Sequence, residues 1–419
     1  MDLEKRTEIP NSLEEHWMPF TSNRDYKNSP RLMVKAEGVY YTDHYGNKLI
    51  DASSGLFCSP AGHSRPEIRE AVSKHTPEDL NKIFFTICGS SAVETAIKTA
   101  IAYFKAKGEG HRSHIVGRER GYHGMNIGGI SVGGMIANRK TFSNILMPNV
   151  HHLRHTHLPE NLFVKGEPET GADLADDLER IAGNIGAENI AACIVEPVAG
   201  STGTLVPPKG YLKRLRQICD KHGILLIFDE VITGWGRMGA PFAAQAFDVC
   251  PDIMTMAKAI TNGVVPLGAV ASRDYIYDTI VDASPTGAIE FFHGYTYSAI
   301  PVSMAAGLAM QDIIEKEDLF NRAKDMSPYF LDGLFTLKDL DIITDIRGYG
   351  MMGGIDIKMD ERLGKAGYAC FKKLFEAGLS LKATGDCLIV APPFTCEKKH
   401  IDEIIEKLRT GISNYMHDR

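Results

Sequence analysis

The chain has 419 residues, of which 24% are charged, and a formal net charge of −7; that length can bury a large core in two or three domains, and the mild acidity leaves no basic footprint for nucleic acid or a membrane surface. The opening residues, M-D-L-E-K-R-T-E-I-P, lack the apolar stretch of a secretory signal, and no run of ~18 apolar residues follows. Eight cysteines without a C-x-x-C pair read as reduced thiols with no zinc site, so a cytoplasmic location is expected.

His16-Trp17-Met18-Pro19-Phe20-Thr21 is an aromatic loop, and taken singly Trp17 and Phe57 read as core aromatics. Gly38 to Asp43 and Tyr45 to Asp51 form a hairpin that turns around His44 to Gly46. Gly62-His63-Ser64-Arg65-Pro66 opens a short helix to about Lys74, and a strand is expected from Lys82 to Thr86. Thr86 to Ala96 reads as strand, turn and helix, because Val93, Ala96, Ile97, Ala100, Ile101 and Phe104 recur at helical spacing. Gly89 and Ser90 begin that helix, where free N–H groups and the dipole favour a phosphate. An ordinary Ser N-cap is the simpler reading of those two residues alone.

His114 to Gly117 is a further short strand, followed by Gly121-Tyr122-His123-Gly124. His151, His152, His155 and His157 resemble a metal cluster, and His151/His155 has i, i+4 spacing. No acidic base lies within the motif and Pro159 breaks the stretch, so structural histidines are expected and no metal. Ala191 to Val195 is a buried strand that delivers Glu196 to its carboxyl end, and Leu212 to His222 is an amphipathic helix. This alternation points to a mainly parallel sheet.

Ile224 to Phe228 is an apolar run with no polar alternation, as in a strand covered on both faces, and it ends in Asp229-Glu230-Val231. Ile253 to Met256 is a second such run, ending in Ala257-Lys258. Open α/β sheets bind ligands at the carboxyl ends of their strands. A desolvated lysine there can form a Schiff base with an aldehyde, and a carboxylate can hold a pyridine nitrogen protonated. Two literal G-x-G-x-x-G matches, at Gly234 to Gly239 and Gly348 to Gly353, do not read as nucleotide loops, because Pro241 interrupts the helix that the first would need. His293-Gly294-Tyr295-Thr296-Tyr297-Ser298 precedes a helix from Pro301. From about Met310 charged amphipathic helices alternate with strands at Asp341 to Arg347 and Gly353 to Lys358. The expected division is an N-terminal segment (1–57), a large domain (58–309) and a smaller C-terminal domain (310–419). Leu381-Lys382-Ala383-Thr384-Gly385-Asp386 is the last distinctive motif.

D-E-V-I-T-G-W-G-R followed by T-M-A-K-A-I-T-N-G resembles the pyridoxal-phosphate site of the class III aminotransferases of fold type I. The likeness is greatest to the omega-amino acid:pyruvate, or beta-alanine:pyruvate, enzymes and runs from about His16 to the C-terminus. It implies an α/β fold with a mostly parallel seven-stranded sheet plus a smaller α+β domain, and a homodimer or a tetramer built from it. It implies pyridoxal 5'-phosphate as cofactor and transamination from an omega-amino acid or amine to pyruvate or a similar keto acid. A decarboxylase or aminomutase would share the cofactor residues. Lys258 would carry the cofactor, Asp229 would hold the pyridine nitrogen, and Val231 and Tyr122 would flank the ring. Gly89, Ser90 and the neighbouring subunit's copy of Thr296 would hold the phosphate, with His123 and Glu196 also facing the cofactor. Trp17, Phe57 and Lys382 would line the substrate pocket, Lys382 standing where such enzymes usually place a carboxylate-binding arginine. The chain also departs from the family after His75, where a stretch that lines the site in such enzymes is missing, which makes a catalytically impaired homologue the other alternative.

Overall fold

The computed structural model describes residues 30–63, 82–285 and 289–419. Trp17, the expected helix to Lys74 and the shortened stretch after His75 lie outside them. In chain order the strands are β1 (Met33–Glu37), β2 (Tyr40–Asp43), β3 (Lys48–Asp51), β4 (Ile83–Thr86), β5 (His114–Arg118), β6 (Val150–Leu153), β7 (Ile190–Val195) and β8 (Leu225–Asp229). They continue as β9 (Ile253–Met256), β10 (Gly268–Ser272), β11 (Ile343–Tyr349), β12 (Met352–Ile357), β13 (Leu379–Ser380), β14 (Lys382–Thr384) and β15 (Cys387–Val390).

Seven strands form one sheet in the order β4-β10-β9-β8-β7-β5-β6. Strands β6, β5, β7, β8 and β9 run parallel to their neighbours, and β10 alone is reversed between β9 and β4. Every residue of β7 and β8 is buried, which is why both read as unbroken apolar runs. Helices Gly89–Ala106 and Tyr211–His222 cover the sheet with apolar stripes that include Val93, Ala96 and Phe104 in the first, and Leu212, Leu215 and Ile218 in the second. The second helix ends at Gly223, whose φ of 62° is accessible without a Cβ penalty. Gly223 N–H donates to Asp220 O and Ile224 N–H to Cys219 O, the paired bonds of a Schellman cap. Ile224 is therefore spent on the cap, and the strand starts one residue later than its apolar run.

Two four-stranded sheets stand apart from this one, β1-β2-β3-β13 and β11-β12-β15-β14. The first contains the expected hairpin, extended by β1 on one edge and by β13 in parallel on the other. The Gly348 to Gly353 match is the turn of the β11–β12 hairpin, where Tyr349 pairs with Met352. The Gly234 to Gly239 match is a run of turns with no helix opening from it. Neither has the strand–loop–helix form a dinucleotide needs.

Candidate active site

Strands β8 and β9 are parallel neighbours, and their register places Asp229 beside Thr255. Asp229 Oδ1 accepts from Thr255 Oγ1 at 3.0 Å and from Val231 N–H at 3.1 Å. His123 Nδ1 lies 2.8 Å from Asp229 Oδ2 and, since a carboxylate only accepts, donates to it. The carboxylate is thus fixed in rotation by three donors from three segments. Thr255 was missed by sequence reasoning. The available signal was a lone hydroxyl in an apolar strand, level with the carboxylate on the neighbouring strand.

Lys258 opens a short 3-10 turn, Lys258–Thr261, directly after β9. Its φ is 52°, a left-handed conformation that costs a non-glycine residue about 1 kcal/mol or more and clusters at functional positions. The ammonium reaches a cavity of about 1120 Å³ at the carboxyl ends of the parallel strands. Burial there holds its pKa below the ordinary lysine value, partly opposed by Cys58, Asp229 and Glu196. Glu196 is buried, its pKa raised chiefly by that burial; its Oε1 accepts from Tyr122 N–H at 2.8 Å and its Oε2 from Gly200 N–H at 3.0 Å. It therefore positions the Tyr122 backbone as well as facing the cavity.

The same cavity is lined by Gly89, Ser90, Tyr122, His123, Val231 and Lys382, as well as by Phe57. A Cβ on Gly89 would stand 2.9 Å from Val231 Cγ1, so only glycine lets the helix start approach that side chain. Ser91 Oγ accepts from Cys88 N–H at 2.9 Å and from Ile87 N–H at 3.2 Å, doing the work of the acidic residue it replaces in a capping box. Phe57 is held by a loop anchored on Asp51, which accepts from Ser53 N–H and Gly55 N–H and lies 2.7 Å from His63 Nε2. Lys382 Nζ lies 5.7 Å from the Phe57 ring centroid.

Thr296 does not line this cavity and is exposed on the surface of its own chain. The four histidines do not converge. His151 Nε2 pairs with His114 Nδ1 at 2.9 Å, and His152 Nε2 lies 2.9 Å from Gly133 O. His151 and His152 belong to β6, a strand, so helical spacing never applied to them. His157 sits near Asp345 and Asp356, but the Arg347 guanidinium already occupies the space between those two carboxylates.

The donor set fits pyridoxal phosphate on the chain's own geometry. A triply anchored carboxylate, a buried amine, an aromatic ring and the glycine-permitted start of an 18-residue helix all face one cavity. Buried His123 Nε2, which has no hydrogen-bond partner among the described residues, completes a polar floor behind the carboxylate. Together with the seven-stranded sheet, these define a pyridoxal-phosphate-dependent enzyme of fold type I.

Comparison with known proteins narrows that class. Residues 69–412 match the family model "Aminotransferase class-III". An omega-aminotransferase of Caulobacter vibrioides is 48% identical, over 95% of this chain and 97% of its own. A beta-alanine–pyruvate aminotransferase of Pseudomonas aeruginosa is 43% identical, over 96% of each. The crystal structure of an omega transaminase from Pseudomonas jessenii in complex with PMP superposes with a TM-score of 0.90 at 28% identity, covering 97% of both chains. The chain belongs to the class III aminotransferases and uses pyridoxal phosphate.

Proposed function

We propose that the chain moves an amino group from an omega-amino acid or a simple amine to pyruvate or a similar keto acid. The names of the two similar enzymes support this choice of substrates. The observation that carries the chemistry is the pairing of Lys258 with a carboxylate, Asp229, on the next strand end. Bound there, the cofactor supplies an electron-withdrawing ring that stabilises negative charge on the carbon bearing the amine. Asp229 accepts from the pyridine N–H, with His123 and Thr255 holding the carboxylate in place. Tyr122 and Val231 flank the ring, and Gly89 and Ser90 bind the phosphate at the helix start. Lys258 holds the cofactor's aldehyde carbon and, once the substrate amine displaces it, carries the proton from the substrate carbon to the cofactor's C4′. Its lowered pKa suits both tasks.

The working unit in this reading is a homodimer in the cytoplasm, with the partner copy of Thr296 completing the phosphate site. The exposure of Thr296, together with exposed Ile289, Phe292 and Tyr297 around it, supports a second copy here. No helix among the described residues is long and apolar enough to cross a membrane. The division into 1–57, 58–309 and 310–419 is supported by packing: Val39, Ile50 and Ala52 share a core with residues from Ala306 to Tyr415.

The test is a pair of half-reactions on purified holoenzyme, amine alone and then pyruvate alone, followed by absorbance with product analysis. Stoichiometric alanine from pyruvate, with no carbon dioxide, is expected. Carbon dioxide release, or turnover without a keto acid, would assign decarboxylase or mutase chemistry instead. Borohydride reduction should fix the cofactor on the peptide containing Lys258.

A further inference from the structure

The cavity holds two cations, borne by Lys382 and Arg31. Lys382 belongs to the inner part, where the Lys258 charge acts on it directly. Arg31 lies just ahead of β1, at the opposite edge of the β1-β2-β3-β13 sheet from β13, the strand that leads into Lys382. Its guanidinium stands 5.4 Å from the centroid of the Phe371 ring, and its Nη2 is 3.4 Å from Tyr368 Oη. Both partners come from helix Lys365–Glu376, whose Phe375 also lines the cavity, and Met33 adds an apolar wall.

A stacked guanidinium is fixed in plane by its aromatic neighbour and offers a fork of donors that matches a carboxylate. A phenol hydroxyl beside it can add one more hydrogen bond, and the apolar side chains around it suit methylene groups. Lys382 offers only a point charge.

We propose that Arg31 is a second, outer carboxylate-binding residue, which together with Tyr368 selects omega-amino acids whose carboxylate lies several methylenes from the amine. This rests on the transaminase reading above and specifies its donor class. Short substrates such as beta-alanine and pyruvate place their carboxylate at Lys382. Longer donors carry theirs past it to Arg31, with the intervening chain along Phe371 and Phe375. No bond is made or broken at Arg31, so its effect falls on donor binding alone.

The test compares 6-aminohexanoate, hexylamine and beta-alanine as donors, with pyruvate as acceptor, in the parent and in Arg31→Gln and Arg31→Lys holoenzymes. In Arg31→Gln the KM for 6-aminohexanoate is expected to rise about ten- to a hundredfold, as for a lost charge-assisted contact. The KM values for hexylamine, beta-alanine and pyruvate should stay within about twofold, and kcat should be preserved. Arg31→Lys should recover part of the loss, since it keeps the charge without the fork. Equal losses for all three donors would overturn the proposal, leaving Arg31 a general structural residue, and no loss for any donor would overturn it equally. Parent turnover of beta-alanine is the control: its absence would count against the transaminase reading, whereas its presence with an unselective Arg31→Gln counts only against the outer site.

Discussion

Lys382 sits where sequence resemblance leads one to expect arginine, and its surroundings make the difference measurable. Burial lowers its pKa to about 8, the neighbouring Lys258 charge adds to that shift, and Glu196 opposes it. The cationic form that can hold a carboxylate therefore dominates below about pH 8 and is lost above it. Pyruvate KM should be nearly flat on the acid side and climb as pH passes through about 8, while the KM of a carboxylate-free amine should follow only the amine's own titration. Steady-state kinetics from about pH 6 to about 10 would check this. A Lys382→Arg variant should lose the climb, because a guanidinium remains charged throughout. A parent profile identical to that of Lys382→Arg would show that Lys382 does not contact the keto acid.

Lys258 and Asp229 are legible in the sequence because each is the polar end of an apolar run. What holds them is less so. Thr255 and His123 reach Asp229 from 26 and 106 residues away, and neither distance leaves a local pattern.

At the scale of an element, the helix from Gly89 to Ala106 and the Tyr122–Gly124 loop meet at a contact that admits only glycine. Gly124 has a φ of +92°, and a Cβ there would stand 2.3 Å from Ser90 Oγ and 2.7 Å from Ser90 Cα. Ser90 Oγ in turn accepts from Met125 N–H at 3.1 Å, so the loop and the helix start are fixed as one unit. Gly124→Ala should push the two apart and spoil the proposed phosphate cradle while leaving the Asp229 and Lys258 strand ends intact. The expected result is a folded protein that binds pyridoxal phosphate at least about tenfold more weakly, equivalent to about 1.4 kcal/mol. Equilibrium titration monitored by absorbance, with far-ultraviolet circular dichroism as the control for folding, would check it. Wild-type cofactor affinity would remove the loop from the cradle. Sequence reading placed this helix correctly from its apolar spacing. It could not show why position 124 is glycine, since the clash is with a residue 34 positions earlier.

For the whole molecule, the large sheet and the surface around Thr296 carry the argument. Phe292 is 85% exposed, with Tyr297 at 66% and Ile289 at 62%, an apolar surface next to the threonine that the proposed dimer needs. Phe292→Asp should put an uncompensated charge into that contact, shift the sedimentation coefficient from dimer towards monomer, and lower both cofactor occupancy and activity together. An unchanged dimer with full activity would place the subunit interface elsewhere.

The sequence by itself determined the elements of this protein and the two residues at the centre of its chemistry. Apolar periodicity and strand-end polarity are local properties, written within about ten residues of each other. They were enough to give β7, β8 and β9, the helices packed on them, and Lys258 and Asp229. Only the tertiary structure decided which side chains share the cavity. Arg31 meets Tyr368 across 337 residues, β13 pairs with β3 at the edge of a sheet begun by β1, and β10 alone runs against its neighbours. Such pairings are fixed by the packing of whole layers and by register between distant strands, and a one-residue change of register would turn every side chain to the other face. Arg31 and Thr255 belong to that second kind: ordinary where they stand in the chain, and given a place beside the chemistry by the fold.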